Sequence, residues 1–213
     1  MEMMPYQPGV EAGSSTTWIA PAAMWRARLP ELRGTGVTLR ELKHSDAASL
    51  NALLTTEQVA RFISPPPTTV AGFEDFIRWS HIRRSQGKYL CFGIVPDGYD
   101  VAVGIFQIKL SPNEPAEWGF VLGSEFWGTG LFVEGAVALM DFAFDQMGLE
   151  RLAARAAVDN GRGNGALRKI GAVRRSRIPN GLVRRGQLHD QYYWTSSPGD
   201  RPRRKITWDL AAQ

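Results

Sequence analysis

The sequence predicts one mixed α/β (α+β) domain, a mostly antiparallel sheet flanked by helices, and three observations point there. Three apolar runs separated by turn signals follow one another between residues 89 and 122. After Gly130 the apolar spacing changes to every third or fourth residue, and beyond Arg151 strand-like and helix-like stretches alternate. An antiparallel meander followed by strand-helix-strand units is the signature of such a domain, and no internal repeat competes with it. A length of 213 residues suits one domain with a sizeable core.

In chain order, residues 1–30 are rich in Gly, Ser, Thr, Pro and Ala yet carry Trp18, Ile19, Met24 and Trp25. They read as an irregular arm that docks locally, ahead of a domain over 31–213. Val37, Leu39 and Glu41 alternate like a strand, and Ser45 or Asp46 is placed to cap a helix carrying Leu50, Leu53 and Leu54. Pro65 to Pro67 stop any helix, after which Thr68 or Thr69 caps a second one that buries Phe73, Phe76 and Ile77 and ends near Gly87. Tyr89 to Val95, Val101 to Leu110 and Ala116 to Leu122 are the three strands of the meander, with PDGYD and SPNEP as their turns. Val133, Val137, Met140, Ala143, Phe144 and Met147 line one face of a helix that Gly148 ends. Arg151 to Val158 is a strand, Gly165 to Ile170 a short helix, and Ala172 to Ile178 and His189 to Thr195 are strands joined by a turn-rich connection. A last short strand is expected over Ile206 to Leu210.

Composition narrows the classes of function. No apolar run approaches the roughly 20 residues that span a bilayer, and the first residues lack a signal peptide's basic flank and apolar stretch. A cytoplasmic location with no membrane partner is the expectation. The one cysteine, Cys91, lies in the apolar run YLCFGIV and reads as a buried strand thiol. His44, His81 and His189 are far apart and have no cysteine companions, so no metal site is expected. The net charge of +4 comes largely from arginines in the second half: Arg174, Arg175, Arg177, Arg184, Arg185, Arg201, Arg203 and Arg204. Such a cluster can attract a nucleotide cofactor, an acidic substrate or nucleic acid, and turn arginines are often merely solvated.

The stretch AEWGFVLGSEFWGTGLFVEGA, Ala116 to Ala136, carries the chemistry. A strand runs through a loop with Gly128 and Gly130 straight into the amphipathic helix. A helix start leaves about four N–H groups unpaired and holds roughly half a positive charge, so an anion there meets donors and a favourable field together. Glycines let that backbone bend tightly and approach a phosphate without a Cβ in the way. The third glycine of a dinucleotide fingerprint is replaced by Val133, and the Lys-Ser/Thr ending of a P-loop is missing. A glycine pair before a helix also occurs for packing alone.

Glu125-Phe126-Trp127-Gly128-Thr129-Gly130 resembles the Q/R-x-x-G-x-G/A loop of the GNAT N-acetyltransferases, and Trp-Gly-x-Gly is the form in their ribosomal-protein alanine acetyltransferase (RimJ/RimL-like) branch. Downstream, Asn160, Asn164, Lys169, Gly171 and Ala172 match that family's N-x-x-S-N-x-x-x-x-K-x-G-F/A segment. The resemblance covers Val37 to Thr195 and implies the GNAT fold, a twisted sheet splayed at an acetyl-CoA site. It implies acetyl-CoA as co-substrate, held by Val121, Leu122, Phe126, Trp127, Gly128, Thr129, Gly130, Leu131, Phe132, Asn160, Asn164 and Lys169. The reaction implied is acetyl transfer to a primary amine, on a protein N-terminus or a small molecule, by direct attack in a ternary complex. Neither DNA nor a membrane is an expected partner, and a homodimer is compatible with the resemblance. Two departures stand out. Glu125 replaces the loop's Gln or Arg, and Gly163 replaces the Ser whose hydroxyl protonates the leaving thiolate in relatives of this branch. They keep open a noncatalytic acyl-CoA-binding protein as the alternative.

An α-amino group of pKa near 7.7 to 8.0 is roughly one-tenth neutral at pH 7, whereas a lysine near 10.4 is neutral in about four parts in ten thousand. An N-terminal amine therefore needs only a modest base. Glu117, on the strand entering the loop and facing away from Trp118, Phe120 and Leu122, is the first candidate for it. Its alternative reading is a surface glutamate paired with an arginine. Asp190 is the second candidate base, and Tyr192 or Tyr193 can face the same cleft, Tyr193 being the candidate catalytic residue.

Overall fold

The computed structural model describes residues 22–112, 114–184 and 186–200. Eight strands form one sheet: β1 (Leu32–Gly34), β2 (Val37–Glu41), β3 (Tyr89–Pro96), β4 (Gly104–Ser111), β5 (Glu114–Leu122), β6 (Leu152–Ala157), β7 (Val173–Arg184) and β8 (Gln187–Ser196), in the order β1-β2-β3-β4-β5-β6-β8-β7. Every neighbouring pair is antiparallel except β5 with β6. Helices α1 (Ala22–Ala27), α2 (Ala47–Leu54), α3 (Glu57–Ala60), α4 (Val70–Ser85), α5 (Leu131–Asp141) and α6 (Gly161–Lys169) complete the described domain.

Alternation along the strands sorts side chains onto two faces. Leu39, Phe92, Phe106, Trp118, Ala154 and Trp194 pack with Ala136, Met140 and Leu167 of α5 and α6. Tyr89, Cys91, Ile105 and Val121 point the other way, onto Leu50, Leu54, Phe73 and Phe76 of α2 and α4. Cys91 is buried, and desolvation pushes its thiol far above the ordinary range, as expected for an inert core residue. No helix among the described residues is long and apolar enough to cross a membrane, and no cluster of metal-ligating side chains occurs among them.

Several expectations are corrected. Part of the supposedly irregular arm is helical: α1 buries Trp25 while Met24 stays exposed, and the Arg84 guanidinium donates to the carbonyls of Trp25 and Arg26. Residues 1–21, including Trp18 and Ile19, and the expected strand Ile206 to Leu210 lie outside the described residues, as do Arg185, Arg201, Arg203 and Arg204. The second strand of the meander begins at Gly104 instead of Val101, because the Ala102 N–H is taken by the Asp46 carboxylate (2.9 Å) and its carbonyl by Ser49 (2.8 Å). Asp46 precedes α2 without capping it. Its oxygens accept both guanidinium nitrogens of Arg40 (2.8 Å each) and the Lys43 N–H (2.7 Å). Burial raises the Asp46 pKa, but these hydrogen bonds and the Arg40 charge outweigh it and hold the carboxyl below its ordinary value. Thr69, not Thr68, caps α4, accepting the Gly72 N–H at 3.0 Å. The long helix is α-helical only to Asp141 and finishes as a π-helical turn, Phe142–Gln146, before Gly148 at φ 69°. Helix α6 starts four residues earlier than expected, and β7 runs on to Arg184, absorbing the expected connection through irregular pairing at Ile178/Leu182.

Candidate active site

Strands β5 and β6 are parallel neighbours at only two registers, Ala116 with Leu152 and Glu117 with Ala153. Beyond Glu117 they part, while β5 stays paired with β4 up to Leu122 and β6 with β8 up to Ala157. The edge of β5 from Trp118 to Leu122 therefore faces a slot between two strands instead of a ladder. Below the slot the glycine loop turns into α5. Gly128 and Gly130 have φ of 82° and 93°, a left-handed region in which only glycine is unstrained, so the loop needs both residues. Trp127 Nε1 donates to the Leu122 carbonyl (2.8 Å) and Thr129 Oγ1 to that of Phe126 (2.8 Å), which ties the loop back on itself. No side chain caps α5, and the first helical bond runs from the Glu134 N–H to the Gly130 carbonyl at 3.1 Å. The N–H groups of the first turn thus point toward the loop with no intrahelical acceptor.

Slot and loop open into one cleft of about 1280 Å³. Its walls include Val121, Leu122, Phe126, Trp127, Gly128, Gly130, Phe132, Asn160 and Lys169. Of the other expected contacts, Leu131 is buried in the core beneath the loop and Thr129 is spent on its own turn. Asn164 is 4% exposed and fully engaged. Its amide nitrogen donates to the Ala157 and Asn160 carbonyls (2.9 Å each), and its oxygen accepts Trp194 Nε1 (3.0 Å). Those bonds fasten α6 to β6 and β8, and Asn164 is not among the residues that line the cleft.

Asn160 caps α6, its oxygen accepting the Gly163 N–H at 2.8 Å. The same side chain fills the space beside Gly163: a Cβ there would lie 2.5 Å from Asn160 Nδ2 and 2.9 Å from Cγ. Glycine at this position is therefore built into the cap, and no hydroxyl occupies it. Arg162, the second residue of α6, lays its guanidinium 3.9 Å over the Trp127 ring, joining the two halves of the cleft wall.

Glu117 and Tyr193 lie on the face of the sheet that carries α2 and α4, opposite their neighbours Trp118 and Trp194. Glu117 sits at the last paired register before the strands part, and Arg155 Nε lies 3.5 Å from its carboxylate. Tyr193 is paired with Arg155 across β6 and β8 and shares that face, whereas Tyr192 turns to the other side, beneath the Arg174 guanidinium at 4.5 Å. Asp190 stands apart from this row. Its carboxylate accepts the Asn180 N–H (2.9 Å) and Arg177 Nε (2.7 Å), and these bonds hold it below its ordinary pKa. Glu117, Asp190 and Tyr193 are not among the residues that line the cleft. The far wall is built from residues of and after α3, among them Glu57, Arg61 and Phe62, together with Arg184, Gln187 and His189 of the β7–β8 hairpin.

A protein of Bacillus licheniformis named uncharacterized N-acetyltransferase p20 is 28% identical over 127 residues, 58% of this chain and 71% of that protein. Among solved structures, Mycobacterium smegmatis RimJ in complex with CoA-disulfide superposes with a TM-score of 0.71 at 20% identity, over 81% of this chain and 88% of that one. RimL, described as a ribosomal L7/L12 alpha-N-protein acetyltransferase, gives a TM-score of 0.71 at 17% identity, over 78% of this chain and 93% of that one. At such identities these structures speak to the shared fold. Residues 37–173, well over half of the chain, match the family described as the acetyltransferase (GNAT) domain, and the chain belongs to that family.

Proposed function

We propose that this chain transfers the acetyl group of acetyl-CoA to a primary amine, with the RimJ/RimL-like preference for the α-amino group of a protein N-terminus, by direct attack in a ternary complex. The observation that carries this reading is the parting of β5 and β6 just past Glu117, above a helix start whose glycine loop holds two left-handed residues. The helix start and Lys169 suit the coenzyme's phosphates, and the unpaired edge of β5 suits the amides of its pantetheine arm. Glu117 accepts the amine proton, directly or through one water, while the nitrogen bonds to the thioester carbon and the C–S bond breaks. Arg155 orients that carboxylate. The thiolate, with a pKa near 8.5, is a fair leaving group and takes its proton from Tyr193 or from water, so the missing hydroxyl at Gly163 does not forbid turnover. Positioning then contributes much of the rate. Asp190 serves the hairpin in this scheme, its carboxylate being committed to Asn180 and Arg177. A cytoplasmic location goes with this activity.

The alternative, an acyl-CoA-binding protein without turnover, is favoured by the two departures at Glu125 and Gly163. The two separate in one experiment. Purified protein is incubated with acetyl-CoA and a panel of peptide N-termini and small amines, and free thiol and acetylated product are measured. Amine-dependent release of both is expected, and coenzyme binding without release from any amine would favour the alternative.

A further inference from the structure

We infer that the amine substrate carries an anionic group, which Arg184 and Arg61 receive on the cleft wall opposite the coenzyme loop. The inference rests on the acetyltransferase reading and adds the substrate's chemical class to it.

Arg184 ends β7 and reaches across the cleft, its Nη2 donating to the Ala60 carbonyl at the end of α3 at 2.8 Å. The guanidinium is half-buried and its Nε is buried without a hydrogen-bond partner. Among the described residues it forms no ion pair with any carboxylate, unlike Arg40, which is paired with Asp46, and Arg84, which is paired with Glu41. A partly desolvated guanidinium with one neutral acceptor is a poorly compensated charge, and an anion arriving in the cleft would complete it. Arg61 lies on the same wall, exposed, with its guanidinium 5.0 Å over the Phe62 ring, and it likewise has no carboxylate partner. Gln187 and His189 add hydrogen-bonding groups beside them. Arg162 and Lys169 belong to the opposite wall, near the helix start, and are placed for the coenzyme. The cations on the α3–hairpin wall are thus left for the second substrate. A carboxylate there can come from an acidic side chain close behind a peptide N-terminus or from a small amino acid. Both present the same planar acceptor to a guanidinium fork.

The test uses matched pairs at saturating acetyl-CoA: the amidated peptides Ala-Asp-Glu-Leu and Ala-Asn-Gln-Leu, and 4-aminobutyrate with 4-aminobutanamide. Calorimetry of the same four probes on the protein–CoA complex covers probes that bind without turnover. One pair should separate by about 10- to 100-fold in favour of its acidic member, chiefly in KM or Kd, and the separation should shrink with salt. Which pair separates identifies the source of the anion. Arg184→Gln keeps a donor for the Ala60 carbonyl but removes the charge. Combined with Arg61→Gln, it should bring the acid-to-neutral ratio toward one, and Arg61→Gln alone, at an exposed position, should lower it part of the way. Equal handling of acidic and neutral members by the wild type, or a ratio that survives both substitutions, would overturn the inference and leave acetyl transfer standing. Failure of the wild type to bind acetyl-CoA, read by titration without any amine, strikes the acetyltransferase reading instead.

Discussion

Replacing a helical glycine with alanine ordinarily stabilises a protein, and at Gly163 the opposite is expected. Alanine in a helix is worth about 0.8–1 kcal/mol over glycine. At this position the new Cβ would lie 2.5, 2.9 and 3.1 Å from three atoms of the Asn160 side chain. That side chain must swing away, and its bond to the buried Gly163 N–H, 2.8 Å long, is lost with it. An unpaired buried donor costs about 1–3 kcal/mol. The net for Gly163→Ala is a loss of about 1 kcal/mol, or roughly 2–4 °C in Tm for a chain of this size. In an Asn160→Ala background the cap is already gone and the space is open. There Gly163→Ala should gain about 0.8–1 kcal/mol, which puts the coupling between the two sites at about 2 kcal/mol. Thermal melts and urea titrations of the four proteins measure it. A stabilising Gly163→Ala in the wild-type background, or additivity across the cycle, would refute the reasoning about the cap. It would also reopen the question of why no hydroxyl stands there.

Further predictions concern the base, the loop and the hairpin. Glu117→Gln should lower kcat for amine acetylation by about 100-fold or more while the acetyl-CoA Kd, read by calorimetry, stays within about threefold. Gly130→Ala meets no atom within 4 Å but must hold φ at 93°, so backbone strain alone should cost about 1–2 kcal/mol in urea titrations and weaken acetyl-CoA binding by loosening the loop. Asp190 is held below its ordinary value of 3.8 by the Asn180 N–H and Arg177, so its contribution to stability is complete above that value and fades as pH falls through the lower folded one. Asp190→Asn should therefore flatten the fall of Tm below about pH 4 while leaving Glu117-dependent turnover at neutral pH in place.

Legibility in the sequence followed how local the cause was. Thr69, Gly128, Gly130 and Gly148 could be read because a cap or a positive φ is decided within a few residues. The start of α6 could not, since GRGNG is a poor helix former. The helix stands there because Asn160 caps it and Asn164 anchors it to Trp194, thirty residues away. The hairpin was misread for a similar reason: Pro179-Asn180-Gly181 looks like a turn, yet β8 pairs past it and Asn180 takes φ 54° within the strand. Helix α1 hid in a stretch rich in proline and glycine, and its anchor is Arg84 on α4. Around the site, the face carrying Glu117 was readable from alternation. Arg155 beside it and Arg184 across from α3, 124 residues from its acceptor, depend on long-range pairing.

The most direct test of acetyl transfer at this site is an electron-density map of crystals soaked with acetyl-CoA. The account predicts pyrophosphate on the backbone amides of the Trp127–Phe132 turn and the pantetheine arm in the slot between β5 and β6. The acetyl carbonyl should lie beside the β5 edge, within one water of Glu117. Pyrophosphate bound away from that helix start, or an acetyl group on the far side of the sheet from Glu117, would contradict it.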